Sequence, residues 1–108
     1  MKSIIDNDVS VLRDKSCSVL LYFTASWCGP CKKIKPMVEK LSEGFDESVI
    51  EIYMVDIDAN DELVRNLEVR GIPAFYLFKG EEMQGQCSGS DILNVHRLLK
   101  ENLPNVPE

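Results

Sequence analysis

Ser18-Val19-Leu20-Leu21-Tyr22-Phe23-Thr24-Ala25-Ser26-Trp27-Cys28-Gly29-Pro30-Cys31-Lys32-Lys33-Ile34-Lys35-Pro36-Met37-Val38-Glu39-Lys40-Leu41-Ser42-Glu43-Gly44 is the stretch that decides the fold. Val19 to Phe23 is apolar without alternation. A strand of that kind must be covered on both faces, as in a parallel sheet. Gly29-Pro30 punctuates the chain, and a helix is predicted from about Cys28 to Gly44. Ile34, Met37, Val38 and Leu41 fall on one helical stripe, and Gly44 is a natural stop.

Working outward, Ser3-Ile4-Ile5 reads as a weak strand and Asp8 to Arg13 as a short helix at best. Val49 to Asp56 is a strand rich in branched and aromatic residues. Asn60-Asp61-Glu62 has the cap and first-turn acids of a helix start, with Leu63, Val64 and Leu67 turned inward. Gly71 and Pro73 break that helix. Ala74 to Phe78 and Met83 to Cys87 then flank the turn Lys79-Gly80-Glu81 as a hairpin. Ser90-Asp91 caps a last helix with Ile92, Val95, Leu99 and Leu103 inward, which Pro104 ends. Early crossovers demand parallel pairing and the late hairpin an antiparallel edge. The expectation is an α/β fold, a mixed sheet with helices on both faces.

A chain of 108 residues fits one domain, spanning 1–108 with 104–108 as a tail. A net charge of −6 argues against nucleic acid and anionic membrane surfaces. No run reaches the roughly 18 apolar residues that cross a bilayer. The N-terminus turns acidic at Asp6 with no apolar core for a signal peptide, so a cytoplasmic location is expected. Cys17, Cys28, Cys31 and Cys87 are too few and too unevenly spaced for a disulfide scaffold. Cys28-x-x-Cys31 is half of a zinc site, but the second half is missing and His96 is the only histidine. Neither metal nor bound cofactor is expected. Two inert buried cysteines are a poor alternative, because tight polar residues separate them and a strand precedes them. A redox pair is the better reading.

Disulfide reduction needs a thiolate that attacks and a second thiol that resolves the mixed disulfide. A strand-to-helix junction makes the two distinguishable. Cys28 falls at the helix N-terminus, where free N–H groups and the dipole favour a thiolate. Cys31 lies one turn in, on the stripe of Ile34 and Val38. Cys28 is therefore the expected nucleophile and Cys31 the resolving thiol. Gly29 admits a close backbone, Pro30 suits a first helical turn, and Lys32, Lys33 and Lys35 add positive potential. With Arg70 they read by default as solvated, screened surface charges, the alternative being a basic collar that favours acidic target segments.

Tyr22 through Lys32 closely resembles the signature of the thioredoxin family. Val55-Asp56-Ile57-Asp58, Val69 through Phe75, the hairpin from Lys79 to Gly89, and Pro36 also match the family pattern, so that the resemblance runs to about Leu103. It implies a thioredoxin fold, a central mixed five-stranded sheet flanked by four helices, with a cis bond before Pro73. It implies a protein-disulfide reductase working through a reversible Cys28–Cys31 dithiol/disulfide. Trp27, Gly29, Pro30, Ile72, Pro73 and Gly89 would form the surface that holds a target, Ile72 pairing with it like an added strand. The implied partners are disulfide-containing proteins and, as electron donor, an NADPH-dependent thioredoxin reductase. The implied oligomeric state is a monomer.

The sequence departs from the family where most members carry a buried aspartate and its lysine partner. Those positions are Tyr22 and Met54 here. Losing both charges together avoids a buried unpaired ion, which would cost about 3–5 kcal/mol. Tyr22 is then plain core or a hydroxyl with a role at the site, and it modulates the chemistry together with Met54 and Lys32. Three other functions compete. An oxidase or isomerase is disfavoured because Gly29-Pro30 lacks a histidine. A glutaredoxin is disfavoured because those place Pro-Tyr between the cysteines. A binding module or co-chaperone with weak turnover stays open through Tyr22 and Met54. Cys87 reads as a small hydrophobe, Cys17 as incidental, and His96 as a surface residue.

Overall fold

Strand β2, Ser18–Thr24, is buried along its whole length and forms the centre of the sheet. The computed structural model describes residues 1–13 and 16–103. Its other elements are β1 (Lys2–Ile4), a 3-10 turn (Ser10–Leu12), α1 (Gly29–Glu43), β3 (Ile50–Asp56), α2 (Asp61–Asn66), β4 (Ala74–Lys79), β5 (Glu82–Ser88) and α3 (Ile92–Asn102). The sheet order is β1-β3-β2-β4-β5. β1 and β2 both run parallel to β3, while β4 is antiparallel to β2 and to β5.

The unbroken apolar run of β2 is explained by its two covers. Val19, Leu21 and Phe23 pack with Tyr53, Val55, Tyr76 and Leu63 on the α2 side. Leu20 and Tyr22 pack with Ile34, Val38, Phe75, Leu77 and Val95 on the side of α1 and α3. Both parallel neighbours deliver their C-terminal ends to one edge of the sheet, and the loop to α1 leaves from there.

Four readings of the sequence need correction. In place of the expected four helices, the described residues form three α-helices and one 3-10 turn. So short a segment gains too few ladder bonds to offset nucleation. Met37 is 46% exposed, because α1 buries the narrower stripe Cys31, Ile34 and Val38. Asn60 makes no side-chain cap on α2. It is fully buried and binds the carbonyls of Ile4 and Asp56, while its oxygen accepts from Asn7 N–H at 2.8 Å. Asn7 does the capping instead, accepting from the amide of Leu63 at 2.9 Å. His96 is half-buried rather than on the surface.

Asp91 caps α3 as expected, through the amide of Leu93 at 3.0 Å. Leu98 joins Val95 and Leu99 in its buried face, while Ile92 and Leu103 are half-buried. Pro104 and the tail 104–108 lie outside the described residues.

Candidate active site

Cys28 occupies the N-cap of α1 in extended conformation, with φ −90° and ψ 111°. Its own amide binds the carbonyl of Ala25 at 3.2 Å, which fixes the loop leaving β2. The amide of Cys31 points at Cys28 Sγ at 3.2 Å. That sulfur thus receives both a direct N–H and the positive end of the helix dipole, the arrangement that favours a thiolate once the bond is opened. Cys28 and Cys31 are joined as a disulfide, with Cα atoms 5.2 Å apart. The two are unequal in access: Cys28 is 6% exposed and Cys31 is not exposed at all.

Gly29 and Pro30 form the exposed first turn of α1, and a Cβ at Gly29 would meet nothing within 4 Å. Pro30 gives up no ladder bond there. Ile72 and Ile57 pack against the cluster of Ala25, Cys28 and Cys31. The Ile72–Pro73 peptide is cis, as the resemblance implied. Pro73 is buried, and its carbonyl accepts from the amide of Gly89 at 2.9 Å. Gly89 has φ +103°, a backbone state that a side chain would strain. Trp27 is 64% exposed, and its indole N–H donates to Asp58 at 2.8 Å. Trp27, Gly29 and Pro30 thus adjoin the disulfide along the chain, Ile72 packs on it, and Gly89 is tied to Pro73, the residue after Ile72.

Tyr22 is fully buried, with its ring stacked on Phe75 at 5.1 Å and 7°. Its neighbour across β3 is Met54. The phenol donates to the carbonyl of Cys31 at 2.9 Å. Burial pushes its pKa above the usual 10, opposed by the Thr24 hydroxyl and reinforced by Glu39. A group so placed stays protonated at neutral pH and does not serve as a base. Lys32 is exposed and borders an open recess of about 340 Å³ with Thr24, Ala25, Ser26, Lys35, Met54 and Asp56.

Residues 6–101 match the family described as Thioredoxin. The chain belongs to the thioredoxin family. Thioredoxin-1 of Saccharomyces cerevisiae is 31% identical over 101 residues, covering 94% of each chain. Thioredoxin O1, mitochondrial, of Arabidopsis thaliana is 32% identical over 97 residues, 88% of this chain and 49% of that protein. The chain spans about half the length of such plant relatives. The reduced thioredoxin pre-protein of Schistosoma mansoni superposes with a TM-score of 0.82 at 32% identity, over 95% of both chains.

Three thioredoxin-site features were not assigned a role from sequence. Ile57 packs on the cysteines, Asp58 holds Trp27, and Asp56 edges the recess. The signal was present in Val55-Asp56-Ile57-Asp58, where β3 runs out at the same edge as β2. The basic collar is broken by these acids and by Glu68, which shares a groove with Arg70. Cys17 is buried and its thiol lies 3.6 Å from a Glu51 carboxylate oxygen. Cys87 is half-buried and burial pushes its thiol pKa up, which suppresses reactivity. Among the described residues, no group of three His, Cys, Asp or Glu side chains is placed to hold a metal.

Proposed function

We propose that this chain is a thiol-disulfide oxidoreductase that reduces disulfides in protein substrates. The observation that carries the reading is the Cys28–Cys31 disulfide at the tip of α1, with the Cys31 amide directed at Cys28 Sγ. In the dithiol form, the Cys28 thiolate attacks one sulfur of a target disulfide. A Cys28–target mixed disulfide forms and the other target sulfur leaves as a thiolate. Cys31 then loses its proton and attacks Cys28 Sγ. The second target thiolate departs, and two electrons have passed to the target.

Trp27, Gly29, Pro30, Ile72, Pro73 and Gly89 hold the target, whose extended backbone pairs with the main chain of Ile72. The exposed first turn of α1 leaves room for it at Gly29. An NADPH-dependent thioredoxin reductase returns the pair to the dithiol. Residues 1–108 act as one domain, as a monomer, in the cytoplasm. Insulin reduction coupled to thioredoxin reductase and NADPH tests the activity, and Cys28→Ser should abolish it.

A second reading is a binding module or co-chaperone with weak turnover. Tyr22 and Met54 favour it, because the resolving thiol has no carboxylate acting on it from β2. Tight, redox-independent capture of a partner by Cys28→Ser, with no insulin reduction by the wild type, would establish that reading instead.

A further inference from the structure

We propose that Tyr22 is a positioning residue of the disulfide exchange: its phenol holds the main-chain carbonyl of Cys31 and sets the resolving cysteine against Cys28, as a hydrogen-bond donor and not as a proton acceptor. The inference rests on the reading of Cys28 and Cys31 as the exchanging pair.

The phenol oxygen lies 2.9 Å from the carbonyl oxygen of Cys31. A carbonyl has no proton to give, so the phenol donates, and its single proton is committed to the main chain. The bond falls beside a weak point of the helix. Pro36 lies inside α1 and has no N–H to offer the carbonyl of Lys32, four residues earlier. The ladder is therefore one bond short at Lys32, and the phenol adds a bond from outside the helix at the neighbouring carbonyl, that of Cys31.

The donor is well anchored. Tyr22 sits on the central strand with its ring against Phe75 and Met54 alongside. Cys28 is tied to the continuation of the same strand, through its amide and the carbonyl of Ala25 at 3.2 Å. Both cysteines thus take their positions from one rigid segment, Cys28 through Ala25 and Cys31 through Tyr22. Attack of Cys31 Sγ on Cys28 Sγ forms one S–S bond as the Cys28–target bond breaks. The electron pair leaves on the target sulfur, and the Cys31 proton passes to water. This step requires alignment, and a first turn free to shift would lose it.

Around the phenol, β3 and β4 present apolar Met54 and Phe75. Thr24 of β2 offers a hydroxyl, and the charge acting from α1 is Glu39. All but the hydroxyl keep the phenol neutral, so its contribution should not vary with pH near neutrality.

The test is single-turnover decay of the mixed disulfide in wild type and Tyr22→Phe, from about pH 6 to about pH 9, around a free thiol's ordinary value near 8.5. Tyr22→Phe keeps the ring and removes only the hydroxyl. First attack by Cys28 should stay within about twofold, while resolution should slow roughly three- to tenfold, as the loss of one hydrogen bond predicts. The slowing should be the same factor at every pH. Equal resolution in the two proteins would overturn the proposal, and a factor that changes with pH would make Tyr22 an acid-base group instead. A wild type that never reduces insulin would refute the underlying activity, a separate outcome. Should Tyr22→Phe not fold, the wild type decides by NMR. A slowly exchanging Tyr22 hydroxyl proton coupled to the Cys31 carbonyl is expected in both redox states, and its absence from either would overturn the assignment.

Discussion

Tyr22 shows how one residue can combine packing and chemistry. Its raised phenol pKa has a consequence for stability. The unfolded chain gives up this proton near pH 10, whereas the folded chain retains it to higher pH. Stability from this group is fully present below about pH 10 and is lost as pH rises through the folded value. Tyr76 shifts the same way through burial and Glu68, so both contribute to alkaline unfolding. Urea denaturation at rising alkaline pH should therefore fall less steeply in Tyr22→Phe than in wild type; parallel slopes would show that burial does not hold the phenol neutral. Tyr22→Asp should be far more costly. It removes the ring from Phe75 and places a carboxylate beside Met54 with no cation from β3. Destabilisation of about 3 kcal/mol or more is expected at neutral pH. Burial raises the new carboxyl's pKa, so the loss should ease as pH falls toward about 4 and the group is neutralised. A Tyr22→Asp protein as stable as wild type at neutral pH would contradict this packing account.

At the scale of elements, the short helix α2 depends on contacts distant in sequence. Asn7 caps it through Leu63, and Asn60 fastens the ends of β1 and β3 to its start. Asn60→Ala should cost about 2–3 kcal/mol, because the carbonyls of Ile4 and Asp56 and the amide of Asn7 each lose a hydrogen bond together. Denaturant midpoints would measure it, and a change below about 0.5 kcal/mol would dismiss the network. These contacts also show where sequence reading stops. β2 and α1 were legible because an unbroken apolar run and a helical stripe each admit one packing. The site was legible because Cys28-x-x-Cys31 falls at their junction. Asn60 resembled a local cap, since a sequence shows Asp61 and Glu62 beside it but not Ile4 packed against it. Met37 fitted the helical stripe, yet the width of the covered face depends on where α3 lies. The hydroxyl partner of Tyr22 was equally hidden, since nothing local reveals that the first turn of α1 passes over that ring.

For the whole molecule, an acidic chain carries Lys32, Lys33 and Lys35 beside its reactive edge. Asp56 faces the same recess as Lys32 and Lys35, and Asp58 is bound to Trp27, so the positive field there is interrupted. Reduction rates for acidic and basic target peptides should accordingly differ in their salt response by no more than about twofold, as expected for exposed, screened charges. A steep fall confined to acidic peptides would restore the continuous basic collar. One of the two active-site sulfurs must meet the target first. We propose that this role falls to Cys28, from its place at the helix tip and the unequal access of the two cysteines. Mass spectrometry of variants mixed with a disulfide-bonded target tests it most directly. Cys31→Ser should accumulate a covalent mixed disulfide through Cys28, and Cys28→Ser should accumulate none; trapping through Cys31 in the Cys28→Ser protein would contradict the account.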